Sequence, residues 1–206
     1  MKKINSFLFI TSNFLLLTSL LLSGCHSKQS IPQTSLADSN SFPSELVGVW
    51  IANNAFDEPW WGFKFEPDGR ISKFRHVLVG NVNNNGNAIY LTGPDPNTYA
   101  SFIFGPVEAA YNADSRELAV KVILEHYIMK LPGGTLEGNS DDYFAGTISD
   151  DWKVWHADWI GYGWLEGATP PDPNGPPEPL TFKKLSEEEI KRYEAVEPVA
   201  PHPAHE

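Results

Sequence analysis

Residues 60–79, WWGFKFEPDGRISKFRHVLV, decide the fold class of this chain. Pro67-Asp68-Gly69 is a turn sequence typical of a β-hairpin, and it separates two runs rich in aromatic and β-branched side chains. Such side chains favour strands because they pack well on a pleated, half-buried surface. Residues 60–66 and 71–79 are therefore predicted to form two paired antiparallel strands.

The remainder of the chain repeats this arrangement of short strands and turns. A capping box that opens at Ser186 predicts one short helix near the C-terminus. Many short strands with almost no helix predict an all-β fold, an antiparallel meander closing into a barrel, with a β-sandwich as the alternative. The other predicted strands are 46–51, 88–92, 99–111, 117–130, 143–149, 153–164 and 180–185.

The N-terminus has the layout of a secretory signal peptide. Lys2 and Lys3 precede the apolar run 7–22, which ends in the small residues Ser23 and Gly24. Four segments follow from this assignment. The predicted segments are a signal peptide (1–24), a flexible tether (25–43), a single β domain with a C-terminal helix (44–196) and a disordered tail (197–206).

The end of this leader, Leu22-Ser23-Gly24-Cys25, resembles the lipobox of bacterial lipoproteins. The resemblance implies that a diacylglyceryl group is attached to the Cys25 thiol and that the peptide is cut before this residue. In enterobacterial lipoproteins an aspartate after the cysteine favours the inner membrane, so His26 favours the outer membrane. The alternative is an uncleaved membrane helix, which the polar residues Thr11, Ser12 and Asn13 disfavour.

Charge and cysteine content narrow the classes of function. The chain has 26 acidic and 15 basic residues and a net charge of −11, which becomes −13 when the two lysines of the leader are removed. Such a domain is a poor partner for nucleic acid and is repelled by an anionic membrane surface, so the membrane is reached through lipid. With the single cysteine lipidated, no thiol is left for a disulfide or a zinc–thiolate site.

Gly48-Val49-Trp50, on the first predicted strand of the domain, resembles the Gly-x-Trp motif of lipocalins and lipocalin-like barrels. In that family the tryptophan closes one end of the barrel, and the interior holds a small, largely apolar ligand. Residues 185–188 look like the entry to the helix outside such a barrel, and residues 140–143 loosely resemble the family's Thr-Asp-Tyr loop. Lys183 and Lys184 are the nearest cations to the arginine that the family stacks on its tryptophan.

Aromatic and polar side chains on the later strands are the candidates for a ligand pocket. Alternation in 117–130 places His126 and Ile128 on the inward face. Alternation in 153–164 places the tryptophans and the polar residues on opposite faces, and neither face is marked as the solvent side. In the alternative reading the tryptophans fill the core, and outward aromatic residues such as Trp60 and Trp61 meet a protein or glycan partner. The predicted ligand-lining residues are Trp61, His126, Trp155, His156, Asp158 and Trp159.

No catalytic constellation, metal site or cofactor motif is predicted. The spacing of His76, His126 and His156 does not favour a metal site. The acid pairs 57–58, 141–142 and 150–151 are interpreted as solvated loop residues, because neighbours on a turn do not flank a scissile bond. Hydrolase, metalloprotease and phosphate-loop motifs are missing from the sequence, so an enzyme is the least favoured class.

Overall fold

The structure, a computed structural model, describes residues 42–84, 88–92, 95, 97–165 and 176–196. Most of these residues form one strongly curled antiparallel sheet, a half-barrel, with one short helix near the C-terminus. The predicted all-β fold class is confirmed. No helix in this part of the chain is long and apolar enough to cross a membrane.

Within the described ranges, eleven strands, β1 to β11, and one helix, α1, follow a short 3-10 helix, Ser44–Leu46. Most strand bounds agree with the predicted runs. However, the predicted strand 99–111 is divided into two at residues 105–107, and a short strand after His76 was missed. The predicted strand 143–149 begins nine residues earlier, at Gly134, so residues 140–143 lie within a strand and not in a loop. The elements are β1 Gly48–Asn53, β2 Pro59–Phe65, β3 Ile71–His76, β4 Gly80–Asn83, β5 Ala88–Thr92, β6 Tyr99–Phe104, β7 Glu108–Asn112, β8 Glu117–Leu131, β9 Gly134–Ile148, β10 Val154–Leu165, β11 Glu178–Lys184 and α1 Glu187–Val196.

The pairing of the first strand with the last joins the two halves of the chain into one sheet. The strand order is β4-β3-β2-β1-β11-β10-β9-β8-β6-β5, and β7 pairs with β8 beside β6. Trp50 of β1 lies opposite Lys184 of β11. We call the end of the half-barrel that holds the 3-10 helix and Trp50 the closed end. The opposite end, where β2 begins and β3 ends at His76, is called the open end.

The amide of Asn84 joins the two edges of the curled sheet. In the described sheet β4 and β7 are not paired. Asn84, which follows β4, donates from Nδ2 to the carbonyl oxygens of Ile71 at 2.7 Å and Val107 at 3.2 Å, and its Oδ1 accepts from the Val107 N–H at 3.2 Å. The rings of Phe74 and Phe104 meet across the same seam, with centroids 5.1 Å apart. One side-chain amide thus satisfies backbone groups that a strand ladder would otherwise pair.

The closed end is built around Trp50. This side chain has no solvent exposure, and its indole N–H donates to the Leu46 carbonyl at 2.9 Å. Gly48, two residues earlier, has φ +128°, a conformation that favours glycine. Lys184, opposite Trp50, donates to the carbonyl of Glu45. The Gly-x-Trp motif therefore occupies one end of the sheet.

Candidate functional site

The centre of the half-barrel is filled by aromatic rings. Trp61, Phe63, Phe144, Trp155 and Phe182 are each at most 1% exposed. Trp155 stacks on Phe182 with centroids 4.5 Å apart, and Trp61 meets Phe144 edge-on at 4.9 Å. Because these side chains are almost completely inaccessible to solvent, the space between them is occupied by the rings themselves.

Two indole N–H groups in this centre have no hydrogen-bond partner within the described ranges. They are Nε1 of Trp61 and Nε1 of Trp155. A buried donor without an acceptor costs ~1–3 kcal/mol. The filled centre therefore contains two donors that a small acceptor could satisfy.

A buried histidine–carboxylate pair lies at the open end. His76, the last residue of β3, is 2% exposed, and Asp142 of β9 is 3% exposed. His76 Nε2 lies 3.8 Å from Asp142 Oδ2, and His76 Nδ1 accepts from the Leu78 N–H at 3.2 Å. Because Nδ1 acts as an acceptor, a neutral imidazole carries its proton on Nε2, which faces the carboxylate.

Asp142 is also held by two neutral donors. Its Oδ1 accepts from the indole N–H of Trp159 at 2.9 Å, and its Oδ2 accepts from the Ser140 hydroxyl at 3.3 Å. These bonds satisfy a carboxylate that burial would otherwise penalise. The sequence interpretation of Asp142 as a solvated loop residue was wrong. Asp142 lies two residues before the inward-facing Phe144 on β9 and therefore shares its face, and this period-two spacing is the signal that could have found it.

Gly161 makes room for Asp142. It lies directly opposite Asp142 in the β9–β10 ladder. A Cβ atom at this glycine would lie 2.9 Å from Asp142 Oδ1 and 3.1 Å from the Trp159 ring. At Gly163, two residues along, the nearest heavy atom would be the Asn139 carbonyl oxygen at 3.9 Å. The first glycine is thus required by the polar cluster, and the second borders nearly open space.

Apolar side chains at the open end remain partly or largely exposed. Trp60 and Trp159 meet edge-on with centroids 5.2 Å apart, and both pack against the core while only half-buried. Phe56 in the β1–β2 loop is 80% exposed, and Leu165 at the end of β10 is 55% exposed. Leu78 of the β3–β4 loop is half-buried. We call these five residues the open-end rim.

The structure separates the predicted ligand-lining residues. Trp61, Trp155 and Trp159 share the inner face, where Trp61 and Trp159 are in ring contact. His156 and Asp158 are exposed on the outer face, because they alternate with the buried Trp155 and Ala157 along β10. These two residues therefore do not line the interior.

His126 also lies outside, for a different reason. In the β8–β9 ladder Leu124 pairs with Ser140 but Tyr127 pairs with Gly138, so β8 carries one extra residue. A one-residue shift moves each later side chain to the opposite face. Met129 is therefore buried, whereas His126 bonds Glu137 Oε1 at 2.9 Å on the outer face. The predicted inward direction of His126 and Ile128 was wrong.

The three histidines considered for a metal site do not converge. His76 is buried inside, and His126 and His156 lie on the outer face. Among the described residues, no group of three or more histidine, cysteine, aspartate and glutamate side chains could hold a metal ion. Cys25, the leader, most of the predicted tether and the predicted tail lie outside the described ranges.

No family model, curated protein or solved structure matches this chain. The lipoprotein and lipocalin resemblances therefore stay predictions, and a function can be argued only from the residues and their geometry.

Proposed function

We propose that this protein is a lipid-anchored lipoprotein of the bacterial envelope whose β domain has a filled core and binds a partner protein at the open-end rim. The observation that carries the proposal is the packing of the central rings. Trp155 and Phe182 stack on one another, so the centre leaves no space for a ligand beside them. Binding is then assigned to a surface rather than to the interior.

The rim suits a protein partner. Exposed apolar groups that lie together mark interaction sites more often than isolated ones do. Phe56 and Leu165 are the most exposed large apolar side chains of the described residues, and both lie at the open end. The edge-on pair of Trp60 and Trp159 covers a face of one of the two rings, and Trp159 also stacks on Phe144 with centroids 6.5 Å apart, so little ring face is left for stacking on a sugar. Apolar protein side chains fit this rim better than a glycan does.

Site-specific photo-cross-linking in living cells tests the rim. A photoreactive amino acid replaces Phe56 or Leu165, and the matched control replaces Thr181, which is exposed on the outer face of β11. We expect the two rim positions to give the same discrete protein adduct, and the control to give none. Equal adducts at all three positions, or no adduct at the rim, would contradict the proposal.

The anchor rests on the Leu22–Cys25 motif and on the acidity of the domain, which leaves lipid as the route to the membrane. Outer-membrane placement rests on His26. We expect Cys25→Ser to remove the lipid mass and to release the protein from the membrane fraction. If the variant is cut before residue 25, keeps an unchanged mass and stays bound to membranes, the lipid anchor is refuted.

A second candidate function is binding of a small, largely apolar ligand, and the unpaired indole N–H groups of Trp61 and Trp155 favour it. An acceptor group on such a ligand would satisfy them if the rings moved apart. Titration with a fluorescent fatty acid, followed by tryptophan quenching, distinguishes the two functions. Saturable quenching that changes in Trp155→Ala supports the ligand. No quenching, together with a large loss of stability in Trp155→Ala, supports the filled core.

A further inference from the structure

A groove of about 250 Å³ lies on the outside of the sheet, on the face opposite to the filled interior. It is bounded on one side by α1 and on the other by the outer faces of β1 to β4. Val49 and Ile51 of β1 contribute apolar lining, and Lys64, Lys73 and Arg75 contribute the cationic part. The groove thus combines an apolar surface with three positive charges in a strongly acidic chain.

Two of these cations face one another. Lys64 of β2 and Lys73 of β3 are direct partners across the antiparallel ladder. Like charges at directly opposite positions destabilise a sheet. The Lys64 ammonium has one carboxylate at the limit of ion-pair distance, Glu66 at 4.0 Å. That carboxylate also accepts from the Ser72 hydroxyl, and no described carboxylate pairs with Lys73.

The third cation has a structural task. Arg75 Nε donates to the Pro59 carbonyl at 2.8 Å, and burial lowers the pKa of its guanidinium, an effect that the nearby Tyr193 hydroxyl partly offsets. Tyr193 of α1 in turn donates to Asn81 Oδ1. Arg75, Tyr193 and Asn81 therefore hold the helix against the sheet and keep the groove walled. Glu194 of α1 also lines the groove, so the positive charge is concentrated on the sheet side.

We propose that this groove binds a small phosphate monoester whose phosphate is held by Lys64 and Lys73 and whose apolar part lies on Val49 and Ile51. The charges match, because a phosphate monoester carries about −1.5 to −2 at pH 7 and several acceptor oxygens. One such group can accept from both ammonium groups and remove their repulsion, which a single carboxylate charge does only in part. The volume admits a small molecule, and the acidity of the whole domain disfavours an anionic bilayer in its place.

Calorimetric titration of the full-length chain in nonionic detergent with monobutyl phosphate tests the site. We expect saturable binding, weakened about tenfold by Lys64→Gln or by Lys73→Gln through the loss of one charge-assisted hydrogen bond. Lys130→Gln, an exposed lysine on β8, is the matched control and should leave the affinity unchanged. Equal weakening by all three variants would reduce the binding to general charge attraction and overturn the proposal.

Dibutyl phosphate, a diester with one negative charge, distinguishes a soluble monoester from the phosphodiester of a membrane lipid. We expect it to bind at least tenfold more weakly, and equal binding overturns the assignment to a monoester.

Lys73→Glu separates the effect on binding from the effect on folding. It replaces the like-charged pair by an opposite pair, so the melting temperature of the unliganded protein should rise while the response to monobutyl phosphate is lost. A Lys73→Glu protein that binds like the parent would also overturn the proposal.

Discussion

The two ends of the half-barrel use tryptophan differently. At the closed end Trp50 is fully buried, and its indole N–H bonds the backbone carbonyl of Leu46. At the open end Trp159 is half-buried, and its indole N–H bonds the carboxylate of Asp142 beside His76. The acceptor at the closed end is a neutral carbonyl, whereas the acceptor at the open end is a charged carboxylate. The closed end is therefore expected to depend on packing, and the open end on keeping buried polar groups paired.

Truncation of Trp50 should have the largest effect. We expect Trp50→Ala to lower the free energy of unfolding by ~3–5 kcal/mol, because a large buried ring is lost and a cavity is left. Denaturant unfolding followed by circular dichroism measures the change. Trp60→Ala, at the half-exposed rim, is the control and should cost clearly less. Equal costs at the two positions would remove the distinction between the ends.

The Asp142–Trp159 bond should have the next largest effect. A double-mutant cycle with Asp142→Asn and Trp159→Phe isolates the contact, and we expect a coupling free energy of ~1.5–3 kcal/mol, the range for a hydrogen bond to a charged group. The corresponding bond of Trp50 has a neutral acceptor, which is worth ~0.5–1.5 kcal/mol. Chemical denaturation of the four proteins gives the coupling. A value near zero would show that the buried carboxylate does not depend on this indole.

The matched pair Gly161 and Gly163 sharpens the comparison within one strand. We expect Gly161→Ala to lower the free energy of unfolding by ~1–2 kcal/mol, because the new methyl group displaces the acceptor of a buried hydrogen bond. Gly163→Ala has space for its methyl group and should be neutral or stabilise by up to ~1 kcal/mol through a less flexible unfolded chain. Thermal unfolding of the two variants measures both changes in stability. The same cost at both positions would point to a general need for glycine in β10.

The elements that local sequence determines could be predicted. The turn at 67–69 joins β2 and β3, and the capping box forms as expected, since the backbone N–H and hydroxyl of Ser186 both donate to Glu189. Gly48 and Trp50 also lie on a strand with the expected inward tryptophan. In these cases the residues that decide the structure are neighbours in the chain.

The candidate site could not be predicted in the same way. The bulge in β8 inserts one residue at a position that no proline or glycine marks, and it reverses the face of His126. His76 and Asp142 meet only because the sheet curls until β3 and β9 face one another across its interior. Alternation fixes which residues share a face along one strand. It does not fix which distant strand lies opposite, and therefore cannot pair a histidine with its carboxylate.

The smallest expected effect concerns Glu178, which lies opposite Trp159 in the β10–β11 ladder. Partial burial raises the pKa of this carboxyl group above its ordinary value. The folded state then holds its proton to higher pH than the unfolded state does, so its contribution to stability is fully present below the unfolded pKa of ~4.3 and is lost as pH rises through the folded pKa. We expect Glu178→Gln to flatten that part of the stability–pH curve.

The exposed Glu108→Gln, on the distant β7, serves as the control and should leave the curve unchanged. Urea unfolding midpoints between pH 4 and pH 7 measure both. Because the Glu178 side chain remains largely exposed, the difference should be small, and parallel curves for the two variants would mean that burial at the open end does not extend to this residue.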